Sequence, residues 1–317
     1  MTDLNYRRTD FAPLRETRYG IGVHWTTWTL PREGEPVPFP EAVEAFDVPA
    51  FVEAARCAGA GHVLFTSTHA KQWLPGPNPV VDEILPGRTC ERDLLMELAD
   101  GLAAEGIKLI VYYHHGTDLK QRGAEDDEEW VEAVGAYEAD QTRFYDNYCR
   151  LVSWMGEHYG PKMIAWWFDA GYGLNRRPPT PWDRMTAAAK AGFSERLVCY
   201  NSGIEKHTLY TPYQDYWAGE MIGLKFRPAG PLTPSGLPWY SFDCWTPLPG
   251  GGGGVWGIDR ASREVHWPAP DPDEVAAYLE GFWTCGGAVT FNLLCYQDGS
   301  INEEHLAVLE EMRRRYR

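Results

Sequence analysis

Short runs of continuous apolar residues alternate along this chain with longer segments whose apolar positions recur every three or four residues. The first kind reads as strands buried on both faces, the second as helices with one apolar side. Strand-like runs are Tyr19–Trp25, His62–Ser67, Lys108–Tyr113, Met163–Asp169, Leu197–Tyr200 and Gly287–Asn292. Helix-like segments are Pro49–Ala60, Arg92–Glu105, a long region Asp127–His158 that can hold two helices, Trp182–Ala191, Pro272–Gly281 and Ile301–Tyr316. Phe51, Val52, Ala55 and Ala58 fall on one face of the first helix. Asn302, with Glu303 and Glu304 behind it, predicts the cap of the last. Residues 203–262 are irregular, rich in Gly, Pro and Trp, and predict only weak strands near Tyr216–Gly219 and Trp239–Asp243.

Repeated strand–helix units with apolar strands predict a parallel sheet covered by helices. The expected fold is an α/β class (β/α)8 TIM barrel, residues 1–317 forming one domain, irregular in strands five to seven. A doubly wound open sheet is the alternative, but no glycine-rich phosphate loop of dinucleotide or nucleotide type follows a strand. The run Gly250–Gly254 lacks strand-to-helix flanks and reads as a loop.

Parallel barrels carry their chemistry at the carboxyl ends of the strands. The run from Lys162 to Gly171 delivers one carboxylate, Asp169, after five apolar residues, and alternation places Ala165, Trp167 and Asp169 on one face. The other strand ends carry His24 and Trp25; Thr66, Ser67, Thr68 and His69; Tyr112, Tyr113, His114 and His115; Asn201 and Ser202; Glu220; and Asn292. Hydrogen-bonding groups and aromatics converging on one rim suit a polyol pocket.

Composition narrows the partner. A net charge of −16 argues against nucleic acid or an anionic membrane and suits a neutral substrate. Fourteen Trp supply flat apolar faces on which sugar rings stack. No segment reads as a membrane span or secretory leader. The seven Cys lack paired spacing and read as reduced thiols of a cytoplasmic protein. A zinc hydrolase would place a second His one residue from its partner on the first strand. Here Trp25 and Thr26 follow His24, so no metal or other cofactor is expected.

The chain resembles the α-L-fucosidases of glycoside hydrolase family 29, motif by motif through most of the barrel. Tyr19-Gly-Ile-Gly-Val-His-Trp-Thr-Thr-Trp-Thr-Leu-Pro31 is similar to the family's first-strand segment, and Ala58-Gly-Ala-Gly-His-Val-Leu-Phe-Thr-Ser-Thr-His69 to its second. Arg92-Asp-Leu94, Gly106-Ile-Lys-Leu-Ile-Val-Tyr-Tyr113 and Trp167-Phe-Asp169 follow in the family's order. Gly286-Gly-Ala-Val-Thr-Phe-Asn292 and Asp298-Gly-Ser-Ile301 close the series. The resemblance implies a retaining mechanism in which Asp169 is the nucleophile. The acid/base lies in the family's variable part. Glu220 is the first choice, with Asp243 and Glu205 in reserve. His24, Trp25, His69, Tyr113 and Trp167 would line the sugar subsite, and Trp73 and Trp256 its apolar side.

The chain also departs from the family. Ala70, Lys71 and Gln72 replace the second His, Asp and Gly after His69, and Asn201-Ser-Gly203 stands where an Arg is expected. An Arg there would help hold a nucleophilic carboxylate ionised. Leu294-Cys-Tyr296 replaces a Gly-Pro region, and the family's C-terminal β-sandwich is missing. The expected partner is a terminal α-L-fucoside or related sugar. A sugar-binding barrel without catalysis and a metal-dependent hydrolase stay open, as does assembly into a homo-oligomer.

Overall fold

The computed structural model describes residues 6–69, 71–117, 127–176, 179–245, 254–255, 258–259, 265 and 267–317. Eight strands make one sheet: β1 (Tyr19–Val23), β2 (His62–Thr68), β3 (Lys108–Tyr113), β4 (Met163–Phe168), β5 (Leu197–Tyr200), β6 (Glu220–Ile222), β7 (Tyr240–Cys244) and β8 (Ala288–Leu293). Their order is β5-β4-β3-β2-β1-β8-β7-β6, and every neighbouring pair is parallel. The last strand thus pairs with the first, which curls the sheet into a (β/α)8 barrel. The expected irregularity is real: β5 has four residues and β6 three.

The sixth strand lies farther along the chain than the pattern placed it. The weak strand expected at Tyr216–Gly219 is not in the ladder, which begins at Glu220. Gly219 sits at φ +59°, and a Cβ there would lie 1.9 Å from the Tyr240 carbonyl oxygen. Only glycine lets the chain turn this close to β7. The preceding residues fill the gap between β5 and β6. Asp215 donates its backbone N–H to the Val198 carbonyl at 2.8 Å, and its carboxylate accepts from the Val198 N–H at 2.9 Å. One acid side chain here supplies an acceptor that a strand carbonyl would otherwise provide.

Between the described strands, helices cover the outside. The long helical region divides into Glu128–Val134 and Thr142–Tyr159, broken at Gly135 with φ +87°. Asp47, Asp93, Asp271 and Asn302 cap four helices by accepting first-turn N–H groups.

The apolar residues sort into an inner and an outer cluster. Leu64, Ile110, Tyr112, Ala165, Trp167, Cys199, Tyr240 and Phe242 fill the barrel. Phe11 and Leu14 join that inner cluster from the N-terminal segment. Ile21, Val23, Phe65, Val111, Tyr113, Trp166 and Phe168 face the helices. Strand alternation therefore decides which residue reaches the lumen and which reaches the helix layer.

Candidate active site

The inner face of β1 carries glycines. A Cβ at Gly22 would lie 2.6 Å from the Phe242 ring, so its absence makes room for that ring. Phe242 in turn stacks on His24, the next inward residue of the first strand segment, with centroids 5.5 Å apart. His24 also meets Tyr112 at 4.8 Å and His69 at 5.7 Å. Tyr112 stacks on Trp167 at 5.0 Å, and His69 lies 5.1 Å from His114. The result is an aromatic cup around the end of β4.

Asp169 stands in that cup. Its N–H continues the ladder to the Tyr113 carbonyl, so strand geometry aims the side chain inward beside Trp167. Ala170 then turns into the left-handed region at φ +54°, a conformation costing a non-glycine residue about 1 kcal/mol. That turn brings the Ala170 N–H to Asp169 Oδ1 at 2.6 Å. Asn201 Nδ2 donates to the same oxygen at 2.8 Å, and the Tyr112 hydroxyl donates to Oδ2. Burial opposes ionisation here. His114 and His69, with the Tyr112 and Asn201 hydrogen bonds, more than offset it and hold Asp169 below the usual carboxylate range.

Glu220 approaches from β6, where it pairs with Phe242 of β7 and so faces inward. Its Oε2 accepts from Asn201 Nδ2 at 2.7 Å. One amide nitrogen thus touches both acids. Two oxygens held on one nitrogen lie no more than about 5.5 Å apart, within the spacing at which paired carboxyl groups act by double displacement. Both acids keep partial solvent exposure in a rim that is otherwise mostly buried.

The histidines are fixed in different orientations. His24 Nδ1 lies 3.3 Å from Asn292 Oδ1 and must donate to it, which leaves Nε2 as the acceptor of the neutral ring. Burial pushes this imidazole down to about 4, so it is neutral at pH 7. His114 Nδ1 accepts the Gly116 N–H at 3.0 Å, so its Nε2 carries the proton.

The structure brings together Asp169, Glu220, His24, His69 and Trp167. It places Trp25, Tyr113 and Trp73 elsewhere. Trp25 is 1% exposed, packs on Phe39, Phe46 and Phe65, and donates to the Gln297 carbonyl. Tyr113 packs on Tyr148, Trp166 and Phe168 in the helix layer. In each adjacent pair the neighbour, His24 or Tyr112, takes the lumen. Trp73 lies against Phe39 and under Arg88 in the outer cluster. Of the reserve acids, Asp243 points away from the lumen toward the Leu224 N–H and Tyr278, and Glu205 is exposed. Trp256, Ala70 and residues 250–253 lie outside the described residues.

The motif reading left Tyr112, His114, Asn201 and Phe242 out of the site. Alternation could have found Tyr112, which pairs with Trp167 across β3 and β4. Asn201 was read only as one polar group at a strand end, and nothing local marks Phe242. Among the described residues no group of three His, Cys, Asp or Glu is arranged to hold a metal, and no helix is long and apolar enough to cross a membrane.

The chain is similar to known proteins in sequence profile and in fold. The profile of the α-L-fucosidase family matches residues 41–314. No curated protein is similar enough in sequence to count as a match. Among solved structures, α-L-fucosidase AlfC from Lactobacillus casei, in complex with α-L-fucose product, has a TM-score of 0.64 at 15% identity, covering 96% of this chain and 98% of that one. Isoenzyme 1 from Paenibacillus thiaminolyticus has a TM-score of 0.62 at 19% identity, covering 95% and 73%. A trapped covalent intermediate of a Bacteroides thetaiotaomicron α-L-fucosidase with 2-fluoro-fucosyl fluoride has 0.62 at 15%, covering 98% and 77%. At these identities the structural likeness concerns the fold.

Proposed function

Because this chain belongs to the α-L-fucosidase family, we propose that it is a retaining glycoside hydrolase cleaving a terminal α-L-fucoside. The observation that carries the reading is the Asp169–Glu220 pair held on one amide nitrogen inside an aromatic cup. Asp169, held ionised by its donors, attacks the anomeric carbon. The bond from that carbon to the leaving oxygen breaks, and the oxygen takes the Glu220 proton. A glycosyl ester on Asp169 results. Glu220, now a carboxylate, takes a proton from water as the water oxygen attacks the same carbon and the ester bond breaks. Two inversions give net retention.

The cup supplies the binding. Trp167, Tyr112 and Phe242 pack together as the apolar wall behind the acids, which suits a deoxy sugar. His24, His69 and His114 bring polar rings to the same cup. The seven cysteines are all free thiols, in keeping with a reducing cytoplasmic setting.

The test is hydrolysis of 4-nitrophenyl α-L-fucoside by the wild-type chain and by Asp169→Ala. Activity in the first and its loss in the second is expected. Equal turnover in the two would overturn the assignment of Asp169, and absence of wild-type turnover would overturn the substrate.

A further inference from the structure

We infer that Asn201 is the positioning residue that spaces the two acids and keeps a donor on whichever of them carries the negative charge. The inference rests on the reading of Asp169 and Glu220 given above. Its basis is the full use of one side chain. Asn201 Oδ1 accepts the Gly203 N–H at 2.9 Å, which sets the amide orientation, because a backbone N–H can only donate. Nδ2 must then face the acids, and its two hydrogens go to Asp169 Oδ1 and Glu220 Oε2. The Asn201 backbone is tied as well, its N–H donating to the Phe168 carbonyl at 2.7 Å beside the nucleophile strand. The residue is 1% exposed.

A fork of this kind suits a double displacement. In the free enzyme the charge rests on Asp169. When the ester forms, Asp169 becomes neutral and Glu220, having given up its proton, becomes the anion. The charge crosses between two groups that the same amide already touches. No side chain has to move for the hydrogen bond to the charged partner to persist. A neutral amide does this without adding a fixed cation to the pocket.

The experiment uses the full chain and compares wild type with Asn201→Ala and Asn201→Asp, each confirmed folded by its thermal midpoint. For Asn201→Ala, kcat/KM on 4-nitrophenyl α-L-fucoside should fall roughly 100-fold. The acid limb of its pH profile should also move to higher pH, since Asp169 has lost a donor that favours its ionised form. Asn201→Asp should move the limb farther, because a third acid beside the pair adds like-charge repulsion. Carboxyl carbon NMR titration of Asp169 should show the same upward shift without reference to turnover. Turnover within threefold of wild type, with the titration unmoved, would overturn the fork and leave the glycosidase reading standing. If the wild type itself cleaves no α-L-fucoside, the glycosidase reading fails, and the titration still decides whether Asn201 supports Asp169.

Discussion

The barrel holds two buried polar clusters, one at its floor and one at its rim, built on opposite terms. At the floor, the Thr17 hydroxyl donates to the Leu14 carbonyl and accepts from His62 Nδ1 at 2.7 Å. His62 Nε2 accepts from Thr290 at 2.6 Å, and Thr290 meets the Tyr240 hydroxyl. Each side-chain polar atom of this Thr17–His62–Thr290–Tyr240 series has a partner, and burial drives the imidazole down to about 3. Nearby, the buried guanidinium of Arg196 spends its five N–H groups on the carbonyls of Met163, Ala189, Ala191, Gly156 and Gly160. Four of these lie at or just past helix C-termini, where the backbone favours a cation. The floor is saturated and holds structure. The rim keeps two carboxyl groups close together and partly open, an arrangement that would repel itself if both were ionised and that leaves the charge on Asp169. Stability and chemistry are thus separated along the same strands.

Substitutions test that separation, from the largest effect to the smallest. Asp169→Ala should lower kcat by roughly 10⁴-fold with little loss of thermal midpoint. A midpoint that collapsed along with activity would place Asp169 in the scaffold. Arg196→Met should do the reverse, costing about 4 kcal/mol in denaturant titrations because several buried carbonyls lose their donors. Any surviving folded fraction should keep its KM. His62→Leu is a milder floor variant at about 2–3 kcal/mol, since it removes one of the two hydrogen bonds at each of the Thr290 and Thr17 hydroxyls.

Tyr112→Phe and Tyr113→Phe sharpen the comparison within one strand. The first removes a donor from Asp169 and should cost roughly tenfold in kcat/KM. The second touches only the helix layer and should leave kinetics unchanged. Equal kinetic losses would mean that strand alternation does not separate lumen from shell at β3.

The pH dependence of stability divides the same way. His24 and His62 titrate at about 4 and about 3 in the folded chain, below the ordinary 6.5. On acidification through that window the unfolded chain takes up protons that the native one refuses, so stability falls. Asp243 has the opposite sign. Burial raises it from 3.8 to about 7, so the native chain keeps a proton that the unfolded chain has released, and stability falls as pH rises across that window. Asp243→Asn should therefore stabilise the chain over wild type more at pH 8 than at pH 5, by on the order of 2 kcal/mol in denaturant titrations. A difference independent of pH would show that Asp243 is ionised in both states.

Much of the fold was legible before any coordinates. Six of the eight strands show as apolar runs, and Asn302 announces the last helix. The seventh strand runs one residue late, at Tyr240–Cys244, and the sixth, expected at 216–219, begins only at Glu220. A three-residue ladder segment that starts after a left-handed glycine has no periodicity to detect. In the site, Asp169, Glu220, His24, His69 and Trp167 were all named from the sequence. Trp25, named beside His24, and Tyr113, named where Tyr112 faces the lumen, both pack in the helix layer, because motif matching carries position without facing.

What the sequence by itself determined is alternation: which residues of a strand share a face, which segments are strands, and that an acid ends the fourth. What only the tertiary structure decided is which face is the lumen. Strands of this barrel are buried on both sides, so Tyr112 and Tyr113, or His24 and Trp25, are equally at home by hydropathy. Closure of the sheet breaks the tie, and it also brings Asn201 of one strand end between acids supplied by two others, a meeting no local pattern encodes.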